Sequence, residues 1–272
     1  MDFIPNGISV VIPTYNRAHL IKESLQSVLD QTVQPLEIIV VDDFSTDNTE
    51  DVVKSLNSPL IKYFKNQRTK GANGARNTGI ILSQGEFIAF HDSDDIWLSD
   101  KLEKQLQVLQ DQLDVDMCFC SLRQNDKKNT VIPRKKISSE NIGHQLLKGN
   151  FISTQTIFIR KVKIGSHLFD EELKRFQDWD FILGFKEINI FHLDIPLVVQ
   201  DVSGVRISNK FKEIDSYKAI FDKYPILADK SLYFRIISQK IILNKGFSLT
   251  SMIKLVFFLT LFYMNKVRNY FY

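Results

Sequence analysis

The chain has 272 residues, of which 44% are hydrophobic and 25% charged, and its formal net charge is +3. These values are ordinary for a soluble globular protein, and no internal repeat, low-complexity segment or Pro/Gly-rich linker interrupts the sequence. The length is sufficient for one large α/β domain, alone or with a smaller appendage.

Hydrophobic runs and helical periodicities alternate along the first part of the chain. The runs predict buried strands at Ile8 to Ile12, Leu36 to Val41, Ile61 to Phe64 and Glu86 to Phe90. A helical pattern follows each strand. The first helix spans Arg17 to Gln31, and the second is capped by Ser45 to Asp47 and ends at Leu56. The third starts in a Gly-rich segment and ends near Gly85, and the fourth is capped by Ser99 and ends at about Gln112. This alternation predicts a parallel sheet with right-handed crossovers.

The pattern changes from Asp116 onward. A polar segment from Arg123 to Lys136 has six basic residues against the single acid Asp126, and we expect it to be a solvated surface loop. The other predicted elements are strands at Met117 to Ser121 and Thr156 to Ile159, a short helix near Ile142 to Leu147, a helix entered at Phe176 to Leu183, edge strands at Phe191 to Leu193 and Leu197 to Val199, and mostly helix from Ile214.

The end of the chain is basic and aromatic. No acidic residue follows Asp229, whereas seven basic and many aromatic residues do, which favours a membrane leaflet over nucleic acid as a partner surface. The apolar run from Leu255 to Met264 is about half the ~20 residues that a spanning helix needs. It can lie in the membrane interface or pack on the main domain as a last helix.

The cysteines and the N-terminus bear on the cellular location of the protein. Cys118 and Cys120 are spaced to lie on one face of a strand, where they cannot form a disulfide, so we expect core residues of a reduced, intracellular protein. The segment from Met1 to Asn6 has neither the basic nor the apolar region of a signal peptide, so export is not expected.

Three carboxylates follow the fourth predicted strand directly: Asp92, Asp94 and Asp95. Ligands of open α/β sheets bind at the carboxyl ends of the strands. Clustered carboxylates repel one another unless a cation joins them, and Asp-x-Asp suits a hard ion such as Mg²⁺ or Mn²⁺ that also binds phosphates. A metal site is therefore predicted here, with a solvated acidic turn as the alternative.

Other loops at the same predicted edge favour a nucleotide diphosphate. Asp42 and Asp43 end the second strand, and Tyr15 follows the first, where its ring can stack on a base. The segment from Lys70 to Gly79 is small and Gly-rich and enters a helix. Small residues permit close backbone approach, and a helix N-terminus favours anions, with an ordinary loop and helix start as the alternative. Neither a P-loop nor a Gly-x-Gly-x-x-Gly fingerprint is present, which argues against the nucleotide-binding folds that use them.

Five blocks of sequence, in order and at characteristic spacing, resemble the family 2 glycosyltransferases of the GT-A fold. They are Val10 to Arg17, Gln31-Thr32, Glu37 to Asp47, Gly74 to Gly79 and Phe90 to Asp95. The resemblance implies a Rossmann-like, mostly parallel sheet flanked by helices, here with a helical C-terminal appendage.

The resemblance also implies roles for individual residues on the donor side. Pro13 and Tyr15 would line a uracil pocket, Asp43 would accept a hydrogen bond from the base, and Arg76 would lie close to the nucleotide. Asp92 and Asp94, supported by Asp95, would hold Mn²⁺ or Mg²⁺ together with the donor's ribose and diphosphate.

On the acceptor side, the segment from Gln177 to Asp180 resembles the family's Glu-Asp motif, which implies that Asp178 is the general base. Gln177 replaces the usual Glu, and Asp180 is the alternative base. Both acids also fit simple capping at the positive end of a helix dipole.

The implied activity is inverting, metal-dependent transfer of one hexose (glucose, galactose or an N-acetylhexosamine) from a UDP-sugar to an undecaprenyl-diphosphate-linked sugar in bacterial O-antigen or capsule assembly. Neither Trp97 nor Trp179 follows an Arg, so the Gln-x-x-Arg-Trp motif of processive synthases is missing. We expect a protein on the cytoplasmic face of the inner membrane, without a nucleic-acid partner. The alternatives are a sugar nucleotidyltransferase and a non-catalytic sugar-nucleotide-binding module.

The predicted organisation is a GT-A domain over residues 1–210 and a helical extension over 211–272 that can associate with a membrane surface. Within the domain, residues 1–115 form the nucleotide-binding half and residues 116–210 the acceptor half.

Overall fold

A computed structural model describes residues 3–138, 140, 142–147, 149–185, 187–202 and 213–224. Its strands are β1 (Ile4–Thr14), β2 (Glu37–Asp42), β3 (Ile61–Lys65), β4 (Gly85–Phe90), β5 (Ile96–Trp97), β6 (Met117–Gln124), β7 (Val131–Ile132), β8 (Ile157–Arg160) and β9 (Ile190–Gln200). Its helices are α1 (Ile21–Leu29), α2 (Thr49–Ser55), α3 (Ala72–Leu82), α4 (Lys101–Asp111), α5 (Ile142–Leu146), α6 (Lys161–Ile164), α7 (Gln177–Leu183) and α8 (Glu213–Lys223), with a 3₁₀ turn at Thr154–Thr156.

The first four strands form the parallel sheet that the sequence predicts. β1 pairs in parallel with β2 and β4, and β2 pairs in parallel with β3, which gives the order β3-β2-β1-β4. The β-branched runs of β1 and β2 are buried, as expected for strands covered by helices on both faces. The carboxyl ends of all four strands therefore meet at one edge.

Beyond β4 the sheet becomes mixed and continues as β4-β8-β6-β9-β5. β8 is antiparallel to both β4 and β6, whereas β6 and β9 are parallel. The two predicted edge strands were wrong: Phe191 to Leu193 and Leu197 to Val199 belong to one strand, β9, which lies between β6 and β5. The short strand β5 pairs with its outer side through Ile96 and Trp97, and this long-range contact leaves no local sequence signal.

The basic segment predicted as a loop is also more ordered than expected. β6 extends to Gln124, and β7 returns beside it, with Leu122 opposite Ile132 and Arg123 opposite Val131. The six basic residues thus belong to a hairpin and to the chain that leaves it.

Close packing explains the small residues of α3. A methyl group built on Gly79 would lie 2.3 Å from Val11 Cγ1 of β1, and one on Gly74 would lie 1.9 Å from the Thr69 carbonyl oxygen. Larger side chains would push α3 off the sheet. The predicted close backbone approach is confirmed.

The core between α4 and β6 contains polar groups. Cys118 and Cys120 are buried free thiols, as predicted. Lys101 is fully buried beside them, and its Nζ donates to Gln105 Oε1 at 2.6 Å and lies 3.8 Å from the centroid of the Trp97 ring. Burial lowers the pKa of Lys101 to about 8.

The predicted Ser99 cap was wrong. α4 is preceded by Asp100 at the N-cap, without a side-chain capping bond, and the Ser99 carbonyl instead accepts from the Thr32 N–H at 2.8 Å. At α2 the predicted capping region does contribute, because Asp47 Oδ1 accepts from the backbone N–H of Thr49 at 3.1 Å.

The chain divides into two compact units, Met1–Phe211 and Lys212–Tyr272. The assignment of residues 1–210 and 211–272 to a catalytic domain and a helical extension stays a prediction, as does the division at residue 115. Only α8 is described in the second unit. The run from Leu255 to Met264 and the acid-free tail lie outside the described residues. Within those residues, every helix is too short or too polar to cross a membrane.

Candidate active site

The three predicted metal-site acids lie in the turn that follows β4, near the middle of the sheet. The turn is closed by the Asp95 N–H, which donates to the Asp92 carbonyl at 3.1 Å. The side chains of Asp92 and Asp94 are 28% and 36% exposed, whereas Asp95 is 2% exposed. Two acids are therefore open to a ligand, and the third lies behind them.

An arginine contacts each of the two accessible acids. Arg76, from α3, donates through Nη2 to Asp92 Oδ1 at 2.8 Å. Arg17, from the loop after β1, donates through Nη2 to Asp94 Oδ2 at 3.3 Å. Arg76 was predicted at the site, whereas Arg17 was noted only as the last residue of the first block that resembles family 2 glycosyltransferases; its position after a strand was the available signal.

The electrostatics of the acids fit a divalent cation. Burial, and then the charge of Asp92, raise the pKa of Asp94. Burial, and then the charges of Asp92 and Asp94, raise the pKa of Asp95 to about 9. Asp95 Oδ1 accepts from the Asp201 N–H at 3.1 Å, but Oδ2 is buried without a hydrogen-bond partner. An added positive charge would relieve this repulsion.

The acids do not form a complete protein-only cage. Over the parts of the chain that the structure describes, no three Asp, Glu, His or Cys side chains are grouped so that they could hold a metal ion. Asp95 is turned toward the interior, so Asp92 and Asp94 are the carboxylates that a ligand can reach.

A buried pair behind the turn holds Asp92 in place. The Ser24 hydroxyl, from α1, donates to the Asp92 carbonyl at 3.1 Å, and Ser24 Oγ also lies 2.8 Å from His91 Nε2. Because Ser24 has only one proton to donate, His91 Nε2 is the donor to Ser24 Oγ. Burial lowers the pKa of His91 to about 3, so this imidazole is neutral. Neither residue was predicted at the site.

The predicted nucleotide-binding residues lie at the ends of β1 and β2. Pro13 is paired with Val41 in the sheet, and the partly exposed Tyr15 follows two residues later, with Lys70 Nζ 5.2 Å from its ring centroid. Asp43 is nearly buried, and its Oδ1 accepts from Asn66 Nδ2 at 2.7 Å. Asn66 was not predicted at the site, and Lys70 was noted only as the first residue of the Gly-rich segment. Lys70 lies beside Tyr15, and Asn66 beside Asp43, through tertiary contacts.

Hydrogen bonds tie the loop after β1 to the loop after β2. The Asn16 N–H donates to Ser45 Oγ at 2.8 Å, and Asn16 Oδ1 accepts from the Thr46 N–H at 2.8 Å. The Arg17 N–H donates to Thr49 Oγ1 at 2.9 Å. The backbone on both sides of Arg17 is thus fixed before any ligand arrives.

The predicted base lies in the first turn of α7. Asp178 Oδ1 accepts from Asn150 Nδ2 and from the Trp179 N–H, each at 2.9 Å. Burial raises the pKa of Asp178 to about 6, against the lowering effects of the Trp179 N–H, the Arg76 charge and the Asn150 amide. Asp178 is partly exposed, whereas Asp180 is 1% exposed, so Asp178 is the more accessible of the two.

Arg76 interacts both with the acids after β4 and with Asp178. Its guanidinium is paired with Asp92, and its charge also lowers the pKa of Asp178. Its Nε is buried without a hydrogen-bond partner. The fold therefore brings the predicted metal-site acids and Asp178, which are far apart in sequence, under the electrostatic influence of one arginine.

Comparison with known proteins assigns a family to this arrangement. A sequence model described as Glycosyl transferase family 2 matches residues 9–169, which is more than half of the chain. The chain belongs to glycosyl transferase family 2. This glycosyltransferase is 34% identical over 210 residues to the Escherichia coli protein named UDP-Glc:alpha-D-GlcNAc-diphosphoundecaprenol beta-1,3-glucosyltransferase WfgD, covering 76% of this chain and 82% of the relative.

Solved structures support the same fold for this family 2 enzyme. S. aureus TarS 1–349 in complex with UDP-GlcNAc superposes with a TM-score of 0.64 at 23% identity, over 93% of this chain and 71% of TarS. The mannosyltransferase PcManGT from Pyrobaculum calidifontis, in complex with GDP-Man and Mn²⁺, superposes with a TM-score of 0.61 at 19% identity, over 97% and 82% of the two chains. The predicted GT-A fold is confirmed, and family membership decides for a glycosyltransferase and against the nucleotidyltransferase alternative.

Proposed function

We propose that this glycosyltransferase moves one hexose from a UDP-sugar to a lipid-diphosphate-linked sugar, with inversion and with a divalent metal ion. The observation that carries the proposal is that Arg76 pairs with Asp92 and that its charge also acts on Asp178. Asp92 would serve the leaving-group side, and Asp178 would serve the side of the attacking hydroxyl. An inverting displacement needs these two functions on opposite sides of the anomeric carbon.

The nucleotide would bind across the ends of β1 and β2. Tyr15 offers a partly exposed ring, with Pro13 beside it at the end of β1. Asp43 can accept a hydrogen bond from the base through the carboxylate oxygen that Asn66 leaves free. Arg76, with Arg17, supplies guanidinium groups for the diphosphate, since planar N–H donors match phosphate oxygens well.

Asp92 and Asp94 would hold Mn²⁺ or Mg²⁺ together with the diphosphate, and Asp95 would support them from behind. When bound, such an ion neutralises charge on the leaving diphosphate. Support comes from the mutual repulsion of the acids and from the unpartnered Asp95 Oδ2.

Asp178 would remove the proton from the acceptor hydroxyl. Both of its hydrogen bonds in the described structure end on Oδ1, so Oδ2 is the atom that can take the proton. A carboxylate with a pKa of about 6 is ionised at neutral pH and is still a stronger base than an ordinary Asp. We assign the reaction to Asp178 and not to Asp180, because Asp180 is buried.

The relative WfgD suggests specific substrates. Its name gives UDP-Glc as donor, a GlcNAc on diphosphoundecaprenol as acceptor, and a β-1,3 product. A β product from an α-configured nucleotide sugar is the result of inversion. We therefore propose UDP-glucose and a GlcNAc-diphospholipid as the first pair to test, with UDP-galactose and UDP-N-acetylhexosamines as the alternatives. Such an acceptor would bring the enzyme to the cytoplasmic face of the inner membrane, as a peripheral protein in surface-polysaccharide synthesis.

The test is incubation with each UDP-sugar, a short-chain GlcNAc-diphospholipid and Mn²⁺ or Mg²⁺, followed by mass and linkage analysis of the product. We expect a β-linked hexose to be added, and we expect Asp178→Asn to abolish transfer while UDP binding by calorimetry is retained. Binding of UDP-sugars without hydrolysis and without transfer to any acceptor would favour the non-catalytic alternative. An α-linked product would contradict inversion.

A further inference from the structure

The hairpin of β6 and β7, together with the chain that leaves it, presents an unusual concentration of positive charge. We call residues 123–136 the cationic hairpin. All six of its basic side chains are exposed: Arg123, Lys127, Lys128, Arg134, Lys135 and Lys136. A solvated loop was the expectation for this segment, but the structure gives it a defined shape.

The turn of the cationic hairpin is built around its single acid. Asp126 Oδ1 accepts from the backbone N–H groups of Lys128 at 3.1 Å and Thr130 at 2.9 Å, and Oδ2 accepts from Thr130 Oγ1 at 2.8 Å. The Gln124 N–H donates across the hairpin to the Thr130 carbonyl at 2.8 Å. Asp126 therefore accepts only from backbone N–H groups and a hydroxyl, and it forms no ion pair with the lysines of the hairpin.

The chain that leaves the hairpin is anchored to the sheet. The Ile137 N–H donates to His192 Nδ1 at 3.1 Å, and His192 Nε2 lies 3.0 Å from Ser121 Oγ. Because Nδ1 is the acceptor, Nε2 is the protonated nitrogen and donates to Ser121. The base of the cationic hairpin is thus fixed to β6 and β9.

None of the six basic side chains forms an ion pair within the described part of the chain. Other basic residues of this protein are paired: Lys62 with Glu37, Lys65 with Asp42, and Arg160 with Glu86. The cationic hairpin is therefore an uncompensated patch, and unpaired, exposed cations are available to an external anionic surface.

Strand register places this patch at the edge of the sheet where the active site lies. Ala89 of β4, Phe158 of β8 and Cys118 of β6 lie side by side, and β8 is antiparallel to both neighbours, so β4 and β6 run in the same direction. β6 continues to Gln124, which is paired with Gln200 of β9. The next residue, Asp201, donates its N–H to Asp95 at 3.1 Å.

We propose that the cationic hairpin docks this enzyme on an anionic phospholipid leaflet, with the active-site edge turned toward the lipid. Clusters of about four to eight Lys and Arg bind acidic lipid head groups electrostatically. The segment contains no aromatic residue, whereas single-stranded nucleic acids are bound through aromatic stacking as well as charge. The orientation rests on the proposed lipid-linked acceptor, but the docking itself does not. It is also independent of the acid-free tail.

The test is co-sedimentation of the full-length protein with vesicles of phosphatidylcholine and phosphatidylglycerol, and with vesicles of phosphatidylcholine alone. The variant is Lys127→Gln/Lys128→Gln, at the tip of the hairpin. Since each basic side chain at an anionic surface contributes about fivefold to partitioning, we expect roughly 30-fold weaker binding. The control is Lys22→Gln/Lys54→Gln, which removes two exposed lysines from α1 and α2.

We expect binding of the wild type only to the acidic vesicles, loss with added salt, and near wild-type binding of the control. Equal binding of wild type and hairpin variant, or an equal loss in variant and control, would overturn the proposal. So would binding of the wild type to phosphatidylcholine alone at the same strength, or hairpin-dependent binding to single-stranded nucleic acid in place of vesicles.

Transfer to a water-soluble GlcNAc-diphosphate acceptor separates this inference from the proposed function. We expect the hairpin variant to keep its rate on that acceptor and to lose rate on the same sugar presented in acidic vesicles. A wild-type enzyme that binds vesicles but transfers to neither acceptor would contradict the proposed function alone. Equal rates of wild type and variant on the vesicle acceptor would contradict the hairpin orientation alone.

Discussion

The two halves of the described catalytic unit reach one site by different means. In residues 3–115, four parallel strands are each followed by a helix, so topology alone gathers the loops after β1, β2 and β4 at one edge. In residues 116–202, strands run in both directions and the helices are short. There the candidate base Asp178 is placed by individual tertiary hydrogen bonds, chiefly to Asn150.

This difference suggests a division of labour. Under the proposed function, donor binding would depend on the mutually supporting backbone contacts of residues 3–115, whereas acceptor chemistry would depend on a few exchangeable side chains of residues 116–202. A family can therefore keep one nucleotide-binding half and vary its acceptors. The four predictions below test this contrast, from the largest expected effect to the smallest.

Asp94→Asn should lower the transfer rate by about a hundredfold or more, because one of the two accessible acids loses its charge. It should also abolish the gain in UDP affinity that Mn²⁺ provides, which calorimetry measures without turnover. The matched control is Asp100→Asn, which removes an Asp that pairs with Lys104 on α4. Unchanged Mn²⁺ dependence in Asp94→Asn would contradict the metal assignment.

Lys101→Met tests the core between α4 and β6, where the two halves meet. The pKa of Lys101 is about 8 when folded and about 10.5 when unfolded, so the unfolded chain binds more protons between these values. The unfolding free energy of the wild type should therefore rise relative to Lys101→Met as the pH increases through this window, by about 3 kcal/mol. Denaturant unfolding at several pH values measures it.

The control for this prediction is Lys104→Met, on the same helix but partly exposed and paired with Asp100. Its stability should follow that of the wild type across the same pH range. Parallel curves for Lys101→Met and wild type would mean that Lys101 is hydrated when folded.

Gly79→Ala should destabilise the nucleotide-binding half by about 1–3 kcal/mol, because the new methyl group would lie 2.3 Å from Val11 Cγ1. Gly143→Ala, on α5 in the other half, is the matched control, since its methyl group would meet nothing within 4 Å. Thermal unfolding measures both. A partial rescue of Gly79→Ala by Val11→Ala would confirm the clash, and equal effects at both glycines would contradict it.

Asn150→Ala should raise the pKa of the base by about one unit, because the Asp178 carboxylate loses a hydrogen-bond donor worth about 1.5 kcal/mol. For the wild type we expect the rate to fall as the pH drops below about 6, where Asp178 becomes protonated. In Asn150→Ala this fall should begin about one pH unit higher, with rates converging in alkali.

Gln107→Ala is the control for the pH profile, since Gln107 also donates from an amide to a carboxylate, Asp111, but on α4. Its profile should match that of the wild type. A uniform loss of rate in Asn150→Ala, without a shift along the pH axis, would mean that Asn150 supports the fold and does not position the base.

The same contrast explains what could be predicted from sequence. The strands β1 to β4 and the acids after β4 were predicted because local hydrophobic runs and turn residues specify them. Tyr15 and Asp43 were predicted at the active-site edge of the sheet from their positions after strands, whereas the uracil contacts and the role of Arg76 needed the family resemblance. The mixed half was harder, because β9 is interior only through its pairing with β5. Its hydrophobic pattern is the same as that of an edge strand.

Asn150 could not be found from sequence at all. It lies 28 residues before Asp178, in a segment without periodic structure, and the two meet only when α7 packs beside it. The pair of Ser24 and His91 behind the acids was missed for the same reason. These contacts are tertiary, and a single sequence contains no record of which side chains face one another.

The two arginine pairs at the acids have a consequence for how the donor arrives. Arg17 with Asp94 and Arg76 with Asp92 form a set of four groups whose charges cancel. A divalent cation and a doubly negative sugar diphosphate also cancel. Under the proposed function, donor binding is then an exchange of partners between two sets without net charge, and neither set attracts the other over a long range. Donor affinity should change little between about 0.05 and 0.5 M salt, a range over which docking on an acidic leaflet should largely disappear.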